Sequence, residues 1–380
     1  MNIGFVLDDG LDVPDGVQQY VLTLGAWLST RGHNVHYLVG QTVRTDIPNL
    51  HSLGRNVSVT FNKNRLSVPV GYSKQKLQQL LLEQHFDVLH VQMPYSPQLA
   101  ARIIAQAPKT TAVVGTFHIL PYGHLQKAGA WMLSKWVRTT LYRFDTVAAV
   151  SSAAQAFAKR TMGIESVVIP NAVDLKKFAA GKKMSKYTDR PTIMFLGRLV
   201  PRKGAMQLVR AVHELVRQKR FGNARLVIVG HGSERSRLER YIRNHKLQDH
   251  IELVGWIIEQ EKPNYLASAD IAVFPSLAGE SFGIVLVEAI AAGAGAVLGG
   301  DNPGYRYVLE GQPEALVNPR NTAAFANRIA DLLEDSDLRR QLHAQQKTRI
   351  ADFDVTKVGM QLEGVYQRAI AKRAQYRDNG

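Results

Sequence analysis

Short apolar runs alternate with longer segments of helical period, and the alternation runs through the first half of the chain, breaks, and starts again. In the first series Ile3–Leu7, Val35–Val39, Val88–Val91, Ala112–Thr116 and Thr146–Val150 read as strands, with Ile164–Pro170 as the last. Val17–Ser29 and Lys74–Glu83 read as helices between them. In the second series Ile193–Leu196, Arg225–Val229, Ile251–Val254, Ile271–Phe274 and Gly295–Gly299 are strands, and Met206–Gln218, Glu234–Asn244 and Ile284–Ala292 are helices. Continuous apolar runs, rather than runs apolar at every second residue, mark strands buried on both faces. Such strands separated by helices build a parallel sheet with helices covering it. A chain of 380 residues that repeats this plan predicts two α/β domains.

The break falls at Asn171–Arg190, a polar, lysine-rich stretch that reads as a linker. The expected division is 1–170, 171–357 and a closing segment 358–380. The period of that segment (Val358, Leu362, Val365, Tyr366, Ile370) is helical, and it is free to pack back on the first domain. Two Rossmann-like domains with parallel sheets facing across a cleft would each take a ligand beyond the carboxyl ends of their strands.

Composition narrows the setting. The chain has no cysteine, which excludes a disulfide framework and any thiolate metal site. Its first residues, Met-Asn-Ile-Gly-Phe-Val-Leu, carry no basic leader and run straight into a strand, so no secretory signal is expected. The longest apolar run, Ile284–Gly300, is interrupted by Glu288 and is short of the roughly 20 residues a membrane span needs. It reads as a buried helix followed by a strand. The formal net charge is +15. That balance suits an anionic partner or a solvated basic face. Val17–Leu82 is its most one-sided stretch, with Asp46 as the only acid facing seven Lys and Arg once Glu83 is left outside. No RNA- or DNA-binding module is present and the basic residues are not interleaved with aromatics, so nucleic acid is not the expected partner.

Two segments carry the chemistry. Gly279-Glu280-Ser281-Phe282-Gly283 leads from a strand into the apolar helix that starts at Ile284. Gly283 opens this helix, and the first amides, at Ile284 and Val285, have no partner within it and lie at its positive end, ready for a diphosphate. Glu280 and Glu288 flank that position. Carboxylates repel phosphate, so their use is to accept hydrogen bonds from sugar hydroxyls. Gly197-Arg198-Leu199-Val200-Pro201-Arg202-Lys203-Gly204 leaves another strand. Arg198, Arg202 and Lys203 can neutralise a diphosphate leaving group. Two weaker signals lie in the first half. Pro14-Asp15-Gly16-Val17-Gln18 puts a glycine at a helix start, and Thr116-Phe117-His118 puts a histidine at a strand end.

The Glu280–Glu288 spacing matches the E-x7-E pattern of the family 4 retaining glycosyltransferases, and Ile169-Pro170-Asn171-Ala172-Val173-Asp174 resembles their interdomain segment. The resemblance covers nearly the whole chain. Within the family, Asp12-Val13-Pro14, Gly16-Val17-Gln18, Phe86-Asp87-Val88-Leu89-His90, Thr116-Phe117-His118 and Gly279–Ala289 are similar to the bacterial phosphatidylinositol mannosyltransferases, which use GDP-mannose. The resemblance implies the GT-B fold, an acceptor-side first domain and a donor domain after it. It places Glu280 on the donor sugar and Glu288 on the ribose. It gives the diphosphate to Gly16, Arg198, Lys203 and the amides of Ile284 and Val285. It also sets His118 near the transferred sugar and Ile257, Glu259 and Lys262 around the base. Asp15 stands where that group has a second glycine. Gln92-Met93-Pro94-Tyr95 and Ile119-Leu120-Pro121-Tyr122-Gly123 depart from it as well. The departures fall on the acceptor side, which leaves a different lipid, a soluble acceptor or a UDP-sugar donor as the alternative.

The expected reaction needs no metal at the diphosphate, because Arg198 and Lys203 supply the charge; Asp8-Asp9 lies too early in its loop to serve as a metal clamp. Ile119–Phe144 holds four Lys or Arg and no acid, and Leu133, Trp136, Val137, Thr140, Leu141 and Phe144 share one helical stripe. That stripe can dip into a membrane interface or pack on the chain's own sheet. With a lipid acceptor, the expectation is a cytoplasmic enzyme peripheral to the inner face of the cell membrane, held on an anionic surface.

Overall fold

The structure, a computed structural model, describes residues 1–13, 15–61, 64–94, 96, 98–120 and 138–378. The chain forms two compact units, Met1–Ala172 with Val355–Gly380, and Val173–Asp354.

The first unit holds strands β1 (Asn2–Val6), β2 (Asn34–Val39), β3 (Leu50–Ser52), β4 (Arg55–Phe61), β5 (Asn64–Val70), β6 (Val88–Gln92), β7 (Ala112–Phe117), β8 (Thr146–Ala149) and β9 (Val167–Val168). Its sheet runs β3-β2-β1-β6-β7-β8-β9, with parallel pairing throughout, while β4 and β5 pair antiparallel as a separate hairpin. The second unit holds β10 (Thr192–Leu196), β11 (Arg225–Val229), β12 (Ile251–Gly255), β13 (Ile271–Phe274), β14 (Val297–Gly300) and β15 (Leu316–Val317), parallel in the order β12-β11-β10-β13-β14-β15. In both sheets the strand order reverses beside the first strand, between β1 and β6 and between β10 and β13. The loops leaving those strands are where such sheets bind ligands.

Burial explains why these runs became strands: every residue of β6, β7, β11, β13 and β14 is buried. The helix Ala205–Arg217 buries Leu208, Val209, Val212 and Leu215 on one stripe, the 3.6-residue period seen in the sequence. The run Ile284–Gly300 divides into the helix Ile284–Ala291 and β14.

Three sequence expectations need correction. The final strand of the first half shrinks to Val167–Val168, because Ile164 is drawn into the end of the preceding helix, its N–H donating to the Ala158 carbonyl. The strand expected at Gly295–Gly299 begins two residues later, at Val297, the Gly295 N–H being turned to the Ala269 carbonyl. Asn171–Arg190 is not a linker along its length. It contains the helix Leu175–Ala179 and a 3-10 turn at Ser185–Tyr187, and it anchors Phe178 and Tyr187 at 4% and 3% exposure.

The helix Val355–Asp378 belongs to the first unit, where Val358, Leu362, Val365 and Tyr366 join a core with Phe5, Tyr20 and Val114. At its outer edge Glu363 accepts from Arg31 and meets His33 Nε2 at 2.7 Å. Among the described residues no helix is long and apolar enough to cross a membrane. Most of the basic stripe, 121–137, lies outside the described residues, as do the side chains of 138 and 139. Two residues at its end turn inward: Phe144 packs against the core around Ile103 and Val113, and Arg143 donates to the carbonyls of Pro108 and Thr111.

Candidate active site

The two chemistry-bearing loops of the second unit leave neighbouring strands at the point where the order reverses. The loop after β10 passes Arg198, makes a 3-10 turn at Pro201–Lys203 and enters the helix Ala205–Arg217. The loop after β13 carries Ser276 and Glu280 into the helix Ile284–Ala291. A backbone bond fastens them, Leu277 N–H donating to the Arg202 carbonyl at 2.8 Å.

Side chains complete the junction. Arg202 Nη1 lies 2.8 Å and Lys203 Nζ 2.9 Å from Glu280 Oε1, and the Ser276 hydroxyl donates to the same oxygen at 2.9 Å. Burial on its own would raise the Glu280 pKa, but the Lys203 and Arg202 charges more than offset it and the net shift is downward, so Glu280 is a carboxylate at neutral pH. With exposed Arg198 the junction holds three cations against one carboxylate. Gly283 opens the following helix at φ 119°, a left-handed conformation that glycine adopts without a side-chain clash. Ile284 and Val285 head the helix, half-buried, with their N–H groups in its first turn.

Glu288, 3% exposed and on the second turn, faces Lys262, whose Nζ lies 3.0 Å from Glu288 Oε1 and 3.1 Å from Glu259 Oε1. Burial opposes the charge on Lys262, but the two carboxylates outweigh it and raise its pKa. Lys177 stands 3.6 Å from Glu259. Lys262, assigned by the resemblance to the base, is thus in contact with the carboxylate assigned to the ribose. Ile257 is half-buried in the loop after β12, just before the 3-10 turn Glu259–Glu261.

In the first unit Gly16 begins the helix Gly16–Thr30, with Asp15 in the capping position. Gln18 is buried and its amide reaches the Gly10 carbonyl and Asp9 Oδ2, both at 3.4 Å. Asp8 is taken up structurally, accepting from the Ala100 N–H at 2.8 Å and from the Ser96 hydroxyl. Pro14 and Tyr95 lie outside the described residues. Among the described residues no group of three or more His, Asp or Glu is placed to hold a metal ion. His118 follows β7, its Nε2 2.7 Å from Gln92 Oε1 and its ring edge-on to Tyr20 at 5.0 Å. With the amide oxygen facing it, Nε2 carries the proton and Nδ1 is an acceptor. Beneath it His90 bridges the Tyr366 hydroxyl and Thr116 Oγ1, both at 2.7 Å. Sequence reading did not find Gln92, Ser276, Asn302 or Tyr305 as site partners. Only Ser276 leaves a trace, as a polar residue directly after an apolar strand and a proline.

Burial pushes both histidines down to about 3, against about 6.5 for the unfolded ring. The unfolded chain therefore takes up protons that the folded chain refuses. The stability from neutral His90 and His118 is complete above pH 6.5 and falls as pH drops from there toward 3, by about 1.4 kcal/mol per unit per ring. Thermal unfolding at pH 7.5 and 5.5 measures it. His118→Gln should reduce the acid loss by about 1 kcal/mol; an unchanged loss in a folded variant would mean that His118 titrates normally.

The family described as glycosyl transferases group 1 matches residues 177–349, and glycosyltransferase family 4 matches residues 14–177. A phosphatidyl-myo-inositol mannosyltransferase of Mycolicibacterium smegmatis is 32% identical over 372 residues, covering 97% of this chain and 94% of that protein. A GDP-mannose-dependent alpha-(1-6)-phosphatidylinositol monomannoside mannosyltransferase of Mycobacterium tuberculosis is 29% identical over 257 residues, 63% of this chain and 66% of that one. Among solved structures, sucrose-phosphate synthase from Thermosynechococcus elongatus superposes with a TM-score of 0.76 over 98% of this chain and all of that one, at 21% identity. The shared fold is GT-B.

Proposed function

The chain belongs to glycosyltransferase family 4, and from that premise we propose that it is a retaining mannosyltransferase that moves mannose from GDP-mannose to a phosphatidylinositol-type lipid. The observation that carries the reading is the Glu280 junction. Cations, a carboxylate and a helix start converge at the strand reversal of the second unit, as a nucleotide diphosphate sugar requires. Similarity to a phosphatidyl-myo-inositol mannosyltransferase along 97% of the chain supports the sugar and the acceptor.

In this reading the second unit is the donor domain. Arg198, Arg202, Lys203 and the amides of Ile284 and Val285 hold the diphosphate, Glu280 the sugar, Glu288 the ribose, and Ile257, Glu259 and Lys262 the base side. The first unit, with Gln18 and His118, is the acceptor side. The bond from the anomeric carbon to the phosphate oxygen breaks, and the acceptor oxygen bonds to that carbon on the same face. The acceptor's proton passes to the departing phosphate. The protein contributes positioning and charge stabilisation. Cations at the leaving group take the role a metal would otherwise have, so chelator should leave turnover unchanged. The enzyme works at the inner face of the cell membrane, held there by its basic surface.

Transfer assays with GDP-mannose, UDP-glucose and GDP-glucose, each with phosphatidylinositol, test the assignment. Mannolipid formed only from GDP-mannose is expected, and a preference for a UDP-sugar overturns it. Sedimentation with vesicles tests the membrane part. The protein should bind vesicles containing an anionic lipid, ignore neutral ones, and dissociate as salt rises toward 1 M, where the Debye length falls to about 3 Å. Lys135→Gln with Arg138→Gln should weaken this binding without changing donor affinity. Equal binding to neutral vesicles would remove the electrostatic attachment.

A further inference from the structure

The Glu280 carboxylate is held asymmetrically. Arg202, Lys203 and Ser276 all converge on Oε1. Among the described residues nothing donates to Oε2, and Oε2 is not among the buried polar atoms without a partner, so it opens to solvent. An arginine beside a carboxylate ordinarily closes a two-pronged pair that uses both oxygens. Here Arg202 Nη1 bonds the same oxygen that Lys203 and Ser276 reach.

The anchor extends inward. Ser276 is 1% exposed, and its hydroxyl accepts from the Tyr305 O–H at 3.3 Å while donating to Glu280. Tyr305 is itself fully buried, and its N–H donates to Asn302 Oδ1 at 3.1 Å. The Asn302 amide in turn donates to the carbonyls of Ser276 at 3.2 Å and Gly300 at 3.0 Å. Gly304, between them, has no room for a side chain: a Cβ would lie 2.3 Å from the Glu280 carbonyl oxygen and 2.7 Å from the Phe282 nitrogen. The turn Asn302–Tyr305 is therefore the bed on which the Glu280 loop rests.

We propose that Ser276 and Tyr305 are positioning residues for sugar transfer, their hydroxyl relay tying down one oxygen of Glu280 so that the other faces the sugar. This rests on the reading of Glu280 as the sugar-facing carboxylate. The relay has a fixed sense. Burial raises the Tyr305 pKa well above its ordinary value, so its proton stays in place and occupies a lone pair of Ser276, whose own proton then goes to Glu280. Without Ser276, Arg202 can close on both carboxylate oxygens and draw Oε2 away from the substrate.

The test compares Ser276→Ala, Ser276→Thr, Tyr305→Phe and Glu280→Gln by steady-state transfer, by GDP titration and by the pH dependence of kcat/KM. Ser276→Ala should lower kcat about tenfold, with GDP affinity and the donor KM within about twofold. Its acid limb should move to higher pH, because the carboxylate has lost a donor. Ser276→Thr keeps the hydroxyl and should stay near wild type, and Tyr305→Phe should fall between. If threonine does not fit the buried site, Ser276→Ala and Tyr305→Phe carry the test. Wild-type kcat and acid limb in Ser276→Ala, or equal losses in kcat and folding stability across the set, would overturn the relay. Glu280→Gln separates the two levels. If it is active, the assignment of Glu280 fails; if it is inactive while Ser276→Ala is normal, only the relay fails.

Discussion

Glu280→Gln should lower kcat/KM for sugar transfer by about three orders of magnitude while GDP binds as well as before or slightly better. The carboxamide preserves shape and can still accept from Ser276 and Arg202, so the fold has little reason to change. What disappears is the negative charge presented to the sugar as positive charge develops on it. A preorganised group of that kind is worth about 3–4 kcal/mol in a transition state, and each 1.36 kcal/mol is a factor of ten. The nucleotide should respond in the opposite sense. Glu280 neutralises part of the charge on Arg202 and Lys203, at 2.8 and 2.9 Å, and removing its charge leaves both cations fully available to phosphate. Calorimetric titration with GDP beside turnover measures the split. If GDP affinity fell in parallel with kcat/KM, Glu280 would be a support for the cations and not a partner of the sugar.

The complementary change is Lys203→Ala, expected to lower kcat about a hundredfold and to weaken GDP by about 1.5–3 kcal/mol, the range for a charged hydrogen bond. Lys203 is 18% exposed in its side chain and meets Glu280 at the foot of the loop. Its loss leaves Glu280 with Arg202 and Ser276, so the carboxylate is not stranded and folding stability should fall by only about 1 kcal/mol. Arg198→Ala, at an exposed position, should cost turnover with still less effect on stability. A Lys203→Ala enzyme that turned over at the wild-type rate would remove this residue from the diphosphate.

The parts of the molecule legible in the sequence are those where one physical rule dominates. β11 and β13 have the bounds their apolar runs predict, Arg225–Val229 and Ile271–Phe274, because strands covered on both faces admit few polar residues. In the sequence the hairpin β4–β5 stands out only as part of a basic stretch. Its Val57, Val59 and Phe61 alternate with polar residues, a two-residue period that net charge masks. Asn171–Arg190 looks like a linker in the sequence because lysines outnumber the two aromatic anchors, Phe178 and Tyr187, that bind it to the second unit. At the site, the spacing of Glu280 and Glu288 reports neither residue's partners. Arg202 is 78 residues from Glu280, and Lys262 is 26 from Glu288. Ser276 and Tyr305 come together only because β13 and β14 are adjacent in the sheet, a relation no local period reports.

The helix Val355–Asp378 gives the order of synthesis a bearing on folding. The second unit is an insertion in the first, with its own ends side by side: Val173 and Asp354 form a parallel bridge, and the Val173 N–H donates to the Phe353 carbonyl at 2.9 Å. Its residues are contiguous, so it can close as soon as Asp354 leaves the ribosome. The first unit, begun earlier, still lacks Val358, Leu362 and Tyr366 from its core and the Tyr366 hydroxyl from His90. At about 5–20 residues per second, translation holds the earlier half open for on the order of ten seconds or more while the later half is made. The half that emerges first is thus the last to be finished, and the basic, lipid-seeking surface proposed for it matures only when the second unit is already folded.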